Sequence, residues 1–278
     1  MTRRGDRARV SPFLGASLAL HGLGAAAVLA RPLAWEYVVP ALLANHVLIT
    51  AASVVPRGSW LGPNITRLPD SECNRRRVSL TFDDGPDPEV TPKVLDLLAQ
   101  AGARATFFCV GRCAAAHPDV IGAIRRAGHG VENHTQNHPN SFAFRSPGSM
   151  LAELMQAQRA IASAGAEWPT LFRAPAGMQN PWMASVLAAA DLALVSWTRR
   201  GFDTVARNGA RVAERLQRNL AAGDILLLHD GSCGRAVRRA PIVLDALPRL
   251  LDTLDRRGLR SEALHVALRS APALGQCL

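Results

Sequence analysis

Beyond residue 77 the chain alternates short β-branched or aromatic runs with longer stretches of helical periodicity, and few folds accept that pattern. Residues 78–82 form a β-rich run ending at Gly85-Pro86. Residues 90–101 carry Val94, Leu95 and Leu98 on one helical face and stop at Gly102. Residues 105–110 read as a buried strand, and 119–127 as a helix closed by Gly128. Helices are expected over 149–164, ending at Gly165, and over 181–190 behind Pro181, followed by a strand over 192–197. A helix over 210–222 leads through Gly223 into the apolar strand 225–228, and the last long helix, 242–257, stops at Gly258. The expectation is an α/β fold, a parallel sheet or barrel covered by helices. Its site should lie at the C-terminal ends of the strands.

The N-terminal part is of another kind. A basic leader (Arg3, Arg4, Arg7, Arg9) precedes an uncharged run over 11–30, about the length that spans a bilayer as a helix. Arg31 and Pro32 interrupt it, and a second apolar stretch over 33–55 contains Glu36, Pro40 and His46 before Pro56-Arg57-Gly58. We read residues 1–57 as a membrane-anchoring hairpin of two short helices, with Glu36 near an interface. A signal peptide cleaved after Val28-Leu29-Ala30, or a second helix lying on the membrane surface, are the alternatives. The leader places the N-terminus in the cytoplasm, and a hairpin returns the chain to that face of the bacterial inner membrane; a single span puts the rest outside. Residues 58–76 lack periodicity and read as a linker, with the main domain over 77–278.

The 278 residues are 48% apolar, enough for a sizeable core, and carry a formal charge of +10. That charge points away from nucleic acid once its distribution is seen. Lys93 is the only lysine, the arginines are scattered, and Tyr37 is the only tyrosine, so there is neither a basic stripe nor a stacking platform. Cys73, Cys109, Cys113, Cys233 and Cys277 are odd in number and irregular in spacing. They read as small apolar fillers rather than as a disulfide framework or a zinc site.

Four polar clusters fall at expected strand ends. Asp83 and Asp84 adjoin a Gly-Pro turn, and adjacent carboxylates point in different directions, so one can bind a metal while the other faces a reactant. His134 and His138 have the spacing of one helical turn and, with a carboxylate, form a two-His, one-Asp set suited to Zn²⁺ or a similar divalent ion. His229 leaves an apolar strand and is either a packed core histidine or a general acid. Arg173, before Ala174-Pro175-Ala176-Gly177, is either a surface residue or a carboxylate's partner.

Thr81-Phe82-Asp83-Asp84-Gly85-Pro86, His134-Thr135-x-x-His138-Pro139 and Leu227-x-His229, in that order, resemble the polysaccharide deacetylases with the NodB homology domain, carbohydrate esterase family four. The likeness spans roughly residues 77–268. It implies a distorted (β/α) barrel and a metal-dependent hydrolase removing acetyl or another small acyl group from an acylated glycan. It makes Asp83 the base, Asp84, His134 and His138 the metal ligands (Zn²⁺, or Co²⁺ and the like), Arg173 the partner of Asp83, and His229 the acid tuned by Asp203. Leu227 would lie beside the acyl methyl, with Pro175 and Ala176 at the substrate, Ala176 through its backbone N–H. The family often has an aromatic at Ala176 and tryptophan at Thr204; losing both rings implies a different wall around the sugar. Rival readings are a deformylase or amidase of a lipid-linked sugar, and a membrane-anchored glycan-binding protein with a dead site.

Overall fold

The computed structural model describes residues 10–231 and 241–269. Strands β1 (Arg77–Asp83), β2 (Ala105–Cys109), β3 (Gly130–Asn133), β4 (Leu171–Phe172), β5 (Ala193–Leu194), β6 (Arg199–Arg200) and β7 (Ile225–His229) form one sheet in the order β5-β4-β3-β2-β1-β7-β6, with β8 (Arg260–Ser261) paired to β1. Every pairing between these strands is parallel. Side chains alternate across it. Leu226 and Leu228 of β7 join Phe82 and Phe107 beneath the helical layer, whereas Ile225 and Leu227 join Phe108 and Trp197 on the concave side. Both faces are thus buried, which is why β7 reads as an unbroken apolar run, whereas β1 alternates Val78, Leu80 and Phe82 with the buried polar Ser79 and Thr81.

Helices α3 (Thr91–Gln100), α4 (Gly111–Ala116), α5 (Pro118–Arg126), α6 (Pro147–Ser163), α7 (Met183–Ala189), α8 (Gly209–Gln217), α9 (Ile242–Arg256) and α10 (Leu264–Ala267) cover the sheet. The helix α3 buries Val94, Leu95 and Leu98, as its spacing predicted. The sheet curls without closing between β5 and β6, and residues 65–68 occupy that gap. Ile65 bridges Val195 and Arg67 bridges Asp224, whose buried carboxylate also takes Arg67 and Arg199 as ion partners at 2.7 and 2.5 Å. The result is a distorted (β/α) half-barrel, as expected.

The first two helices, α1 (Pro12–Ala30) and α2 (Trp35–Ser53), form an antiparallel hairpin joined through a short turn at Pro32–Ala34. Both are long and apolar enough to cross a membrane and are covered by protein over only a small part of their surface. Asn45 donates to Ser17 across the hairpin at 2.8 Å, and the His21 and His46 rings meet edge to face. Glu36 falls in the first turn of α2, at the hairpin tip.

Two expectations are corrected. Cys73 is disulfide-bonded, while Cys109 and Cys113 are free; Cys233 and Cys277 lie outside the described residues. Pairing follows proximity in space, which spacing along the chain does not record. The expected strand over 192–197 is ordered as a strand only at Ala193–Leu194, since the chain turns away there to reach β6.

Candidate active site

At the end of β1 the chain must release two adjacent carboxylates in different directions. Asp83 keeps strand geometry, while Asp84 adopts φ 72°, in the left-handed region. Gly231, leaving β7, passes so close that a Cβ there would meet the Asp84 carbonyl oxygen at 2.3 Å. Thr135, His138 and Ala176 also have positive φ, so the backbone departs from its usual conformations around the site.

His134 and His138 converge on Asp84, though in a loop after β3 rather than on a helical turn. Their Nε2 atoms lie 3.2 and 3.1 Å from Asp84 Oδ1, and one ligand atom from each of the three residues falls within 4.8 Å of the others. Asp84 Oδ1 is buried and accepts no hydrogen bond among the described residues. His134 Nδ1 lies 2.8 Å from the Arg173 carbonyl, which fixes that nitrogen as the donor and turns the Nε2 lone pair toward Asp84. An orphaned carboxylate oxygen facing two imidazole nitrogens is what a divalent cation fits. The loop is pinned by Glu153 of α6, which accepts from the Gln136 and Asn137 backbone N–H groups and from Asn137 Nδ2.

Asp83 turns the other way. Its Oδ1 accepts from Arg173 at 2.7 Å, and Arg173, 1% exposed, also donates to Thr81 Oγ1 and the Val195 and Ser196 carbonyls while lying over the Phe108 ring. Arg173 is therefore no surface arginine: every polar contact it makes holds it to Asp83 or the inner wall. Opposite, His229 Nδ1 lies 2.8 Å from Asp203 Oδ1, and its backbone N–H donates to Asp203 Oδ2. Burial alone would lower the His229 pKa, but the Asp203 hydrogen bond and charge outweigh it, so the ring holds its proton to higher pH than usual.

Asp83, Asp84, His134, His138, His229, Leu227 and Ala176 line one cavity of about 170 Å³. Arg173, Asp203 and Pro175 are absent from that lining, although Arg173 and Asp203 hold two residues that form it. A larger apolar cavity of about 530 Å³ opens at the N-terminal ends of β4 and β5, with no carboxylate among its described lining residues. The end of the N-terminal hairpin reaches the rim of this cavity: Ser53 O accepts from the Gln179 N–H, Pro56 O from Ser196 Oγ, and Arg57 donates to Thr198 O. A Cβ on Gly177, which lines the cavity, would meet Trp197 at 2.5 Å and Pro56 at 2.7 Å.

The profile for polysaccharide deacetylase matches residues 70–195. A chitooligosaccharide deacetylase from a Bradyrhizobium strain is 38% identical over 197 residues, covering 68% of this chain and 89% of that protein. The chain belongs to the polysaccharide deacetylase family. A peptidoglycan-N-acetylglucosamine deacetylase of Bacillus cereus is 33% identical over 198 residues, 70% of this chain and 90% of that one. Among solved structures, a family 4 carbohydrate esterase from Streptomyces lividans in complex with acetate superimposes with a TM-score of 0.61 at 35% identity, over 68% of this chain and 92% of that one. This polysaccharide deacetylase is accordingly a hydrolase of the carbohydrate-deacetylating class.

Sequence reasoning missed several residues of the site. Trp197 and Arg200 line the cavity, and Trp197 supplies an aromatic wall that Ala176 and Thr204, also lining it, do not. Trp197 and Arg200 stand in the same polar stretch as Asp203, which was the available signal. Glu153 offered only a carboxylate set in the apolar stripe of α6.

Proposed function

We propose that this chain removes acetyl or another small acyl group from an acylated, N-acetylated by preference, carbohydrate. Asp84, His134 and His138 would hold one divalent cation, Zn²⁺ by its affinity for imidazole and carboxylate in an open set. The observation that carries the reading is the buried Asp84 Oδ1, without a hydrogen-bond partner among the described residues, facing two histidines. The bound cation would polarise the acyl carbonyl and acidify a water.

The chain's own residues do the rest. Asp83, held by Arg173, takes a proton from the attacking water. The N–H of Ala176, in the turn at Pro175–Gly177, faces the charge that develops on the carbonyl oxygen. His229, kept protonated by Asp203, gives its proton to the departing nitrogen or oxygen. Leu227 presents an apolar surface to the acyl methyl.

The hairpin serves as a membrane anchor, since its exposed leucines, valines and Tyr37 demand lipid cover. Its end at the cavity rim favours a substrate held at the bilayer, such as a lipid-linked sugar. The Cys73 disulfide weighs for the oxidising side of the membrane, against the pull of the basic leader, and we place the catalytic domain there. A C-terminal fusion to a compartment-sensitive reporter tests that placement. The hydrolase assignment is tested by acetate release from acetylated chito-oligosaccharide: release that stops on chelation and returns with Zn²⁺ supports it, and release indifferent to chelation refutes it.

A further inference from the structure

Arg200 has no role in the chemistry above, yet it lines the catalytic cavity. Its guanidinium lies between two rings, 5.4 Å from the Trp197 centroid and 4.9 Å from that of Phe202. Stacking of this kind holds a guanidinium in place while leaving its N–H edge free. Among the described residues the Arg200 Nε is buried without a hydrogen-bond partner, and Arg200 forms no ion pair. A buried donor left unpaired is costly, and a charged one more so, unless a ligand completes it.

Neither carboxylate of the cavity forms an ion pair with Arg200. Asp83 is paired with Arg173, and Asp84 faces His134 and His138. Among the described residues Arg200 is thus a positive charge with no carboxylate of its own, in the cavity that the hydrolase reading assigns to the sugar. Its neighbour Arg199 shows the contrast, because that guanidinium is consumed by Asp224 and two backbone carbonyls. Position matters too. Arg200 stacks on Trp197, and Trp197 abuts Gly177, where the end of the hairpin is packed.

We propose that Arg200 is a specificity-determining residue that binds an acidic substituent, phosphate or carboxylate, carried by the acylated sugar. The proposal rests on the hydrolase reading above and adds the substrate's charge to it. A planar guanidinium with a free edge suits both oxyanions through paired N–H···O bonds. The phosphate would come from a lipid carrier at the bilayer, and the carboxylate from an acidic sugar in a polymer.

The test uses the full-length, Zn²⁺-loaded protein in detergent. It compares kcat/KM for an acetylated chito-oligosaccharide, its 1-phosphorylated counterpart, and a counterpart bearing a carboxylate. We expect at least one acidic substrate to exceed the neutral one about 10- to 100-fold, the weight of charge-assisted hydrogen bonds. Which one does so identifies the source. In Arg200→Gln that ratio should fall to within about threefold of unity, with Arg200→Lys between the two, because lysine keeps the charge without the paired geometry. Metal content of each variant, measured alongside, separates lost selectivity from a damaged site. Equal rates on all three substrates, or a preference undiminished in metal-replete Arg200→Gln, overturns the proposal and leaves the hydrolase reading intact. No turnover of any substrate refutes that reading and this one together.

Discussion

His229 and Asp203 meet twice: the carboxylate accepts from the backbone N–H with one oxygen and lies 2.8 Å from ring Nδ1 with the other. That double contact fixes the ring's position and leaves Nε2 to face the cavity. Burial disfavours the imidazolium, but Asp203 more than offsets it and raises the pKa. A general acid must be protonated to act, so activity should persist above the ordinary histidine range and fall as pH rises through the raised pKa. In Asp203→Asn the charge is gone, and the alkaline limb of kcat/KM should move to lower pH, with a loss at neutral pH of about 10²-fold or more. A pH–rate profile with an unmoved alkaline limb contradicts the assignment.

The Arg173–Asp83 pair is buried on both sides. Arg173→Ala strands a carboxylate in the wall of the barrel and should cost about 3–5 kcal/mol of stability, read from urea unfolding of the detergent-solubilised protein. A loss below about 1 kcal/mol, typical of an exposed pair, shows that the pair is solvated in solution.

Glu153 touches no candidate ligand but holds three N–H groups of the loop between His134 and His138. Glu153→Ala should weaken Zn²⁺ binding about 10- to 100-fold, the usual effect of removing a group behind the ligands. Metal titration against a competing chelator measures it, and unchanged affinity means the loop is held by other contacts.

Glu132, at the end of β3, is buried and accepts from the Leu171 and Thr170 N–H groups. Burial dominates, and its pKa is pushed up from 4.5 to about 8. Between those values the folded chain holds a proton that the unfolded chain has released, so stability should fall as pH rises across that window. Glu132→Gln, which cannot ionise, should show a flatter dependence of Tm on pH between 5 and 8. A slope equal to the parent's would place the proton elsewhere.

The long periodic elements were legible because each buries a continuous apolar face: α3, α9 and β7 fall within a few residues of expectation. The strands β4, β6 and β8, two residues each, are too short to show a period. β3 was hidden because its sequence, Gly-Val-Glu-Asn, places a buried carboxylate and a buried amide where an apolar run was sought. The candidate metal ligands Asp84, His134 and His138 stood out as a motif, but their geometry did not. Spacing of four implied a helical turn, whereas positive φ at Thr135 and His138 brings the two rings together in a loop. Arg200 gave no signal in the sequence, because the burial of its Nε without a partner among the described residues is a property of the folded cavity.

Cation binding by Asp84, His134 and His138 and proton transfer by Asp83 are the centre of the proposed chemistry. The most direct measurement is acetate release by the metal-replete full-length protein and by Asp83→Asn, with metal content determined on the same samples. About one divalent ion per chain is expected in both, and in the variant a loss of turnover of about 10²–10⁴-fold. Asp83→Asn that binds metal and hydrolyses at the parent rate would contradict that chemistry.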